Sequence, residues 1–254
     1  MNKYIGFRAL IYREILRFIK VFNQTIIPPL VSALLYMFIF GIALGSRLSQ
    51  VMETSYINFI VPGLVMMNLI ESAYANTSSS FYIARWHNHI QEILVSPLSY
   101  MEMVLAILIG GLVRSAIVAA CVFTLSLLFT WTGIAHPWVI LFFVVGVSLI
   151  FSLLGLLVGL MAESWEHLSI WSTFLLTPLI FLGGVFHSIA LMPDFIRRIS
   201  LFNPIYYMIE GMRFGFLGTH ACPLWMSITV VLTMVAALFM LTVYLFKIGY
   251  KLRT

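Results

Sequence analysis

Charged residues are scarce in this sequence. Asp, Glu, Lys and Arg make up 9% of its 254 residues, whereas 62% of the residues are hydrophobic. Soluble domains average about 25% charged and 45–50% apolar residues, and a soluble core of this size cannot bury such an excess. Because a chain in lipid must satisfy its backbone polar groups internally, long continuous apolar runs favour helices over the short alternating strands of a barrel. The sequence therefore predicts an all-α membrane protein.

The sequence also lacks the motifs of most catalytic and nucleic-acid-binding proteins. Its two cysteines, Cys121 and Cys222, indicate no disulfide framework, and its six histidines have no metal-ligand spacing. It contains no G-x-x-x-x-G-K-[ST] phosphate-binding loop and no constellation of nucleophile, base or metal ligands. The formal charge of +5 is concentrated at the two ends, which indicates contact with membrane lipid rather than nucleic acid. We therefore expect no enzyme activity, metal or cofactor in this chain.

Six apolar runs are long enough to cross a membrane as helices, which requires about 20 residues each. They cover residues 26–45, 57–76, 103–130, 138–161, 168–192 and 224–246. The connections after the third and fourth runs are too short to hold a soluble domain, and no internal repeat is visible. The sequence predicts a single membrane domain over residues 1–254.

Residues 4–23, ahead of the first run, are predicted to form an amphipathic helix. One helical stripe is apolar and consists of Phe7, Ile11, Ile15, Phe18 and Phe22. The roughly opposite face is basic and carries Arg13, Arg17 and Lys20. A basic amphipathic helix lies along the membrane surface; the alternative is a cytosolic helix packed on its neighbours.

Lys and Arg residues are unevenly distributed between the two predicted sides of the membrane. If both ends lie on one side, that side carries Lys3, Arg8, Arg13, Arg17, Lys20, Arg85, Lys247, Lys251 and Arg253. The other side then carries Arg47, Arg197, Arg198 and Arg213. Because cytoplasmic loops are enriched in Lys and Arg, both termini are predicted to be cytoplasmic.

The predicted cytoplasmic loop at residues 85–97 contains a short amphipathic helix. Ile90, Ile93 and Leu94 fall at spacings of three and four and form one apolar face. Pro97 ends the helix, because the residue before a proline is disfavoured in the helical conformation. Such a helix either binds a partner or rests on lipid.

Glycine and proline interrupt the apolar pattern between residues 177 and 218. The breaks are Pro178, Gly183, Gly184, Pro193, Asn203 and Pro204. The apolar stretches between them, residues 195–202 and 205–217, are too short to cross a membrane. They favour helices that re-enter the membrane from the outer side, at about residues 193–218, and a plain outer cap is the alternative.

A few polar side chains fall inside predicted spans, where they are costly unless they pair or face water. They are Asn68, Glu71, Asn76 and Arg114. Glu71 and Arg114 are candidates for an ion pair that locks the second and third spans together. The same residues could instead line a transport pathway or hydrogen-bond between helices.

Several short motifs of this sequence resemble the permease subunits of type-2 ABC exporters. They are Glu92-Ile93-Leu94-Val95-Ser96-Pro97, Gly183-Gly184-Val185-Phe186, Leu191-Met192-Pro193, Asn203-Pro204-Ile205-Tyr206-Tyr207 and Arg213. Their order and spacing extend the resemblance over essentially the whole chain. Many family members have Gly-Thr where Asn88 and His89 stand here, so the sequence departs from the family pattern at these two positions.

The resemblance implies a subunit of an exporter in the bacterial inner membrane. A second copy of the chain and two soluble ABC ATPase subunits, which bind ATP and magnesium, would complete it. A coupling helix would dock on the ATPase through Arg85, Asn88, Glu92, Ile93, Leu94 and Pro97. The re-entrant turn would depend on Gly183, Gly184, Pro193, Asn203, Pro204 and Arg213. The alternative is an ion-coupled secondary transporter, which would commonly show repeated halves.

Overall fold

The computed structural model describes residues 3–44, 55–189, 192–219 and 221–251, and the regular elements of these residues are helices. The first half contains α1 (Lys3–Lys20), α2 (Phe22–Thr25), α3 (Ile27–Tyr36) with a π-helical continuation (Met37–Leu44), α4 (Tyr56–Trp86), α5 (His89–Val95) and α6 (Tyr100–Ser126). The second half contains α7 (Pro137–Met161), α8 (Trp165–Ile170), a π-helix (Trp171–Leu176), α9 (Thr177–Leu182), α10 (Asp194–Phe202), α11 (Pro204–Leu217) and α12 (Leu224–Ile248). The predicted all-α class is confirmed. Arg47 and Arg253 lie outside the described residues.

Five helices in the described ranges are long and apolar enough to cross a membrane. They are Phe22–Gly41, Tyr56–Trp86, Tyr100–Ser126, Pro137–Met161 and Leu224–Ile248. They correspond to five of the six predicted spans, so the prediction of a multi-span protein is confirmed and the count of six is not.

The predicted span at residues 168–192 is interrupted in the structure. Three successive six-residue segments, α8, the π-helix and α9, extend only to Leu182. Gly183 and Gly184 then turn the chain, and the φ of 87° at Gly184 is a left-handed conformation that favours glycine. At about 1.5 Å per residue, these segments span about 27 Å, and the apolar residues beyond the turn belong to a loop.

Helix α4 lies at the centre of the fold and packs most extensively against α7 and α6. Two glycines of α7 allow this close approach. A Cβ atom on Gly155 would lie 2.3 Å from the hydroxyl oxygen of Thr77, and one on Gly159 would lie 2.8 Å from the carbonyl oxygen of Ser78. The G-x-x-x-G pair of α7 therefore serves packing within the chain, as small residues commonly do between membrane helices.

The segment predicted to re-enter the membrane forms α10 and α11. Helix α11 packs against α4, α7 and α12, and most of its residues are buried. Helix α10 is more peripheral, with Phe195 and Phe202 exposed. The two short helices are therefore present, and their entry into the membrane stays a prediction.

Candidate functional site

The amphipathic loop helix predicted at residues 85–97 is shorter in the structure and corresponds to α5. Asn88 precedes it with a left-handed φ of 58°. Ile90 is buried in a cluster that includes Phe81 of α4 and Val104 of α6, and α5 packs against α4.

The outward side of α5 is largely exposed. Among the predicted coupling residues, Ile93 and Leu94 are partly buried, whereas Asn88, Glu92 and Pro97 are exposed. Val95 is 86% exposed, the most of any large hydrophobic residue of α5. An apolar side chain exposed this far on a fixed helix is available for contact with a partner.

A capping box fixes the connection from α5 to α6. The backbone N–H of Ser99 donates to Glu102 Oε2 at 2.7 Å, and the Ser99 hydroxyl oxygen accepts from the N–H of Glu102 at 3.3 Å. Only Ser96, Pro97 and Leu98 separate Val95 from this cap. Helix α5 is therefore connected to the capped start of α6 by three residues.

Arg85 lies in α4 rather than in α5 and is partly buried, and its role in docking stays a prediction. It lies in the last turn of α4, and its guanidinium Nη1 donates to the carbonyls of Gly159, Leu160 and Ala162 at 3.2, 2.6 and 3.2 Å. Cationic donors stabilise the free carbonyls at a helix C-terminus. Arg85 thus joins the end of α4 to the end of α7.

The C-terminal part of the chain reaches the same end of the molecule. Lys251, which follows α12, donates to Glu163 Oε1 at 3.1 Å. This hydrogen bond and charge lower the pKa of the Glu163 carboxyl. Glu163 follows α7 directly, so the ends of α4, α7 and α12 lie together beside α5.

A groove of about 460 Å³ separates α1 from α5. Its α1 side carries Arg13, Arg17 and Lys20, and its opposite side includes His89 and Glu92. The basic face of α1 and the exposed face of α5 therefore border one continuous surface.

Glu14 attaches α1 to the rest of the fold. Its side chain is buried to 0% exposure, and its carboxylate accepts hydrogen bonds from Arg13 at 2.8 Å and from the Ser80 hydroxyl at 2.5 Å. Arg17 Nε lies 3.6 Å from the same carboxylate. A Cβ atom on Gly110 of α6 would lie 2.7 Å from the Glu14 Cβ, so no larger residue fits there.

Arg17 extends this cluster to α4. Its Nη2 donates to the backbone carbonyl and the side-chain oxygen of Asn76, at 2.8 and 2.9 Å. Burial lowers the pKa of Arg17, and the charge of Glu14 opposes that effect. Arg17 therefore contacts α4 as well as lining the groove, and Asn76 joins α1 to α4, as the alternative of a hydrogen bond between helices predicted.

Sequence reasoning overlooked Glu14. Its position between Arg13 and Arg17, one and three residues away, is the pattern of a local ion pair on a helix. That pattern could have identified it as the buried anchor of α1.

We expect the substitution Glu14→Gln to loosen α1. The isosteric amide removes the charge that both arginines share, and losing a charged hydrogen bond costs about 1–3 kcal/mol. Hydrogen exchange of the α1 amides should accelerate relative to those of α12. The matched control is Glu166→Gln, which changes an exposed carboxylate; equal α1 protection in both variants would contradict the anchoring role.

The remaining polar residues of the spans do not form the ion pair considered from the sequence. Arg114 donates to the backbone carbonyl of Thr25 at 3.3 Å, and no ion pair joins it to Glu71, although both residues are described. Asn68 is buried and donates to the carbonyl of Leu64 in its own helix at 2.9 Å.

Arg213, which is predicted to belong to the re-entrant turn, is buried in the structure. It is 1% exposed, forms an ion pair with Glu210 and donates to the carbonyl of Gly184 at 2.9 Å. Its guanidinium carbon lies 3.8 Å from the centre of the Phe59 ring. The other carboxylate oxygen of Glu210 accepts from the N–H of Ala221 at 2.8 Å. The Glu210–Arg213 ion pair thus connects three parts of the chain: the turn that follows α9, helix α4, and the segment between α11 and α12.

Asn203 contacts α9 just before the turn at Gly183 and Gly184. Its side-chain amide donates to the carbonyl of Leu179 in α9 at 2.5 Å, and its oxygen accepts from the N–H of Ile205 at 3.0 Å. Pro204 occupies the first position of α11, where its missing N–H is not needed. The structure brings together five of the six predicted turn residues, namely Gly183, Gly184, Asn203, Pro204 and Arg213.

Pro193, the sixth of these residues, is exposed and precedes α10. In the part of the chain that the structure describes, no group of three or more His, Cys, Asp or Glu residues could hold a metal ion.

The sequence of this chain is similar to those of several known proteins. The sequence model of the ABC-2 type transporter family matches residues 5–217. Inner membrane transport permease YadH of Escherichia coli (strain K12) is 38% identical over 252 residues, covering 99% of this chain and 98% of the relative. Nodulation protein J of Rhizobium meliloti (strain 1021) is 24% identical over 212 residues, with 82% and 79% covered. Nodulation protein J of Neorhizobium galegae is 26% identical over 216 residues, with 83% and 80% covered.

The family match and the match to the YadH permease include most or all of α1, the loop helix α5 and the turn held by Arg213. The family match ends at residue 217, the last residue of α11, and the match to the YadH permease continues through α12. The chain therefore belongs to the ABC-2 type transporter family, and it is the membrane permease subunit of a transporter.

Proposed function

We propose that this chain is the membrane-spanning half of an exporter and that a separate soluble ABC ATPase supplies the energy. Two copies of the chain and two ATPase subunits form the complex, and ATP and magnesium are bound by the ATPase. The observation that carries this proposal is α5, which is anchored inside through Ile90 and exposes Val95, while His89 and Glu92 of the same helix line the groove of α1. A helix fixed on one side and open on the other is suited to transmit force.

The proposed coupling runs from α5 into the two long helices next to it. The turn at Asn88 joins α5 to α4, and the capping box of Ser99 joins it to α6. Because α4 is 31 residues long and lies at the centre of the fold, a tilt at its α5 end is carried to the far end. ATP-driven closure of the ATPase pair would thereby change which side of the membrane is accessible.

The proposed topology places both termini, α1 and α5 in the cytoplasm of a bacterium with an inner membrane. The helical stretch from Trp165 to Leu182 crosses the membrane as the fifth span in chain order, which brings the number of spans to six. Helices α10 and α11 re-enter from the outer side. The location is supported by the relative named an inner membrane transport permease and by the five apolar helices. The shared end of α4, α7 and α12, where Lys251 contacts Glu163, supports a common side for α5 and the C-terminus.

A second copy of the chain is proposed to pack on α3. The exposed stripe of this region is apolar and consists of Ile27, Val31, Leu35 and Phe38. Residues at such spacings share one helix face. This face suits either lipid or a second copy, and the family resemblance favours the dimer.

Site-specific photocrosslinking tests the docking of the ATPase. A benzoylphenylalanine introduced in place of Val95 should capture a P-loop ATPase in native membranes. The matched control replaces Trp131, which is 81% exposed in the connection between α6 and α7 and is predicted to be on the outer side. Capture from Val95 alone supports the proposal, whereas no ATPase from Val95, or equal capture from both positions, contradicts it.

A further inference from the structure

One narrow seam of α4 is open although the rest of that helix is covered. Between Phe59 and Tyr82, the residues that are not buried are Glu71, Ala75 and Ser79. Their spacing of four places them on one helix face, and Glu71 lies near the middle of the 31-residue helix. The seam therefore runs through the depth at which the hydrocarbon core is expected.

Both walls of the seam carry hydroxyl groups. A groove of about 250 Å³ lies between α4 and the segment formed by α8 and the π-helix. Its hydroxyl-bearing lining residues are Tyr74, Ser78 and Ser79 of α4, and Ser169, Ser172 and Thr173 of the opposite segment. Tyr74 joins the two walls, because its hydroxyl donates to the carbonyl of Leu168 at 3.0 Å. Polar side chains in spans face protein or a water-filled cavity rather than lipid.

The seam continues into the groove between α1 and α5. Arg17 Nη1 lies 3.5 Å from the Ser79 hydroxyl oxygen, and Arg17 also lines that groove. Its charge is paired with Glu14. Glu71 is two helical turns farther along α4, about 12 Å from Ser79 along the axis, and forms no ion pair with any described residue.

Glu71 lies one helical turn from Ala75, which lines the groove. An unpaired carboxyl group at this place favours a positively charged ligand. Attraction between opposite charges is several-fold stronger at low dielectric than in water, and the hydroxyl groups can hydrogen-bond an ammonium group. Trp165, which is 49% exposed, and Tyr74 also line the groove, and aromatic faces attract organic cations. We propose that Glu71 selects cargo that carries a protonated amine, and that such cargo passes along the seam. This inference rests on the proposed transport function.

Binding of two matched probes to the full-length chain in phosphatidylcholine nanodiscs tests this selectivity. The probes are dansylcadaverine, a fluorescent primary amine, and its neutral N-acetyl derivative, with binding to empty nanodiscs subtracted. The wild-type chain should bind the amine at least tenfold more tightly than the acetylated probe. Equal affinities in the wild-type chain would overturn the proposal without any variant.

Substitutions then locate the selectivity. Glu71→Gln should remove the preference for the amine, Glu71→Asp should retain most of it, and Glu166→Gln, outside the seam, should leave it unchanged. Ser172→Phe, which fills the groove, should weaken binding of both probes. A preference that survives Glu71→Gln in a folded variant would overturn the role of Glu71. Because this assay contains no ATPase, its failure is distinct from a failure of the proposed coupling.

Discussion

The substitution Arg213→Met is expected to abolish most folded protein. It leaves Glu210 as a buried carboxylate without its cation, and breaking a buried ion pair on one side costs about 3–5 kcal/mol. It also removes the donor to the Gly184 carbonyl and the contact with the Phe59 ring. The yield of monodisperse protein in mild detergent, measured by fluorescence-detected size-exclusion chromatography, should fall severalfold.

Two comparisons separate this effect from the loss of any arginine. Arg197→Met changes an exposed arginine of α10 and should leave the yield unchanged. The double variant Glu210→Gln with Arg213→Met should recover part of the loss, because no unpaired charge remains. A double variant no better than Arg213→Met would show that the ion pair is not the main contribution of Arg213.

The substitution Arg85→Met is expected to uncouple ATP hydrolysis from transport while the ATPase still binds. Its guanidinium holds three carbonyls at the end of α7, and charged hydrogen bonds contribute about 1.5–3 kcal/mol each when buried, less at a partly exposed site. Without them the end of α4 is no longer fixed to α7. The ATPase activity of the purified complex should then lose its dependence on cargo.

The substitution Arg85→Lys separates the contribution of the planar guanidinium group from that of the positive charge. A lysine ammonium is a compact charge and cannot reproduce the planar donor array of arginine, so this variant should remain impaired. The control Arg8→Met changes an exposed arginine of α1 and should retain coupling. Loss of ATPase binding in Arg85→Met would indicate instead that Arg85 contacts the partner directly.

Hydropathy predicted the long helices well and their ends less well. The second predicted span stops at residue 76, whereas α4 continues to Trp86. The added turns contain Ser78, Ser80 and Arg85, and they remain helical because α1 and α7 cover them rather than lipid. Hydropathy measures preference for lipid, so it cannot detect a polar helix end that is buried in protein.

Hydropathy also failed to show that the predicted span at residues 168–192 ends as a helix at Leu182. Val185 and Phe186 are apolar because they pack in the core, with the Phe186 carbonyl accepting from the Tyr56 hydroxyl at 2.9 Å. An apolar buried turn and an apolar helix have the same composition. The Gly183–Gly184 pair was the local signal that the helix ends there.

The site was predictable where one short segment determines it and less so where distant segments meet. The exposed face of α5 follows from the spacing of Ile90, Ile93 and Leu94. The role of Asn76 depends on Arg17, which is 59 positions away in sequence. Counting loop charges placed Arg213 on the outer side of the membrane, but it could not show that Arg213 is buried and pairs with Glu210.

The most direct test of the account is to purify the tagged chain from its native membrane in mild detergent and to identify and quantify the proteins that accompany it. The account predicts a soluble P-loop ATPase in equal amount with this chain, two copies of each per complex, and ATP hydrolysis by the preparation. A preparation that retains the dimer but contains no ATPase would contradict the account and favour an ion-coupled secondary transporter.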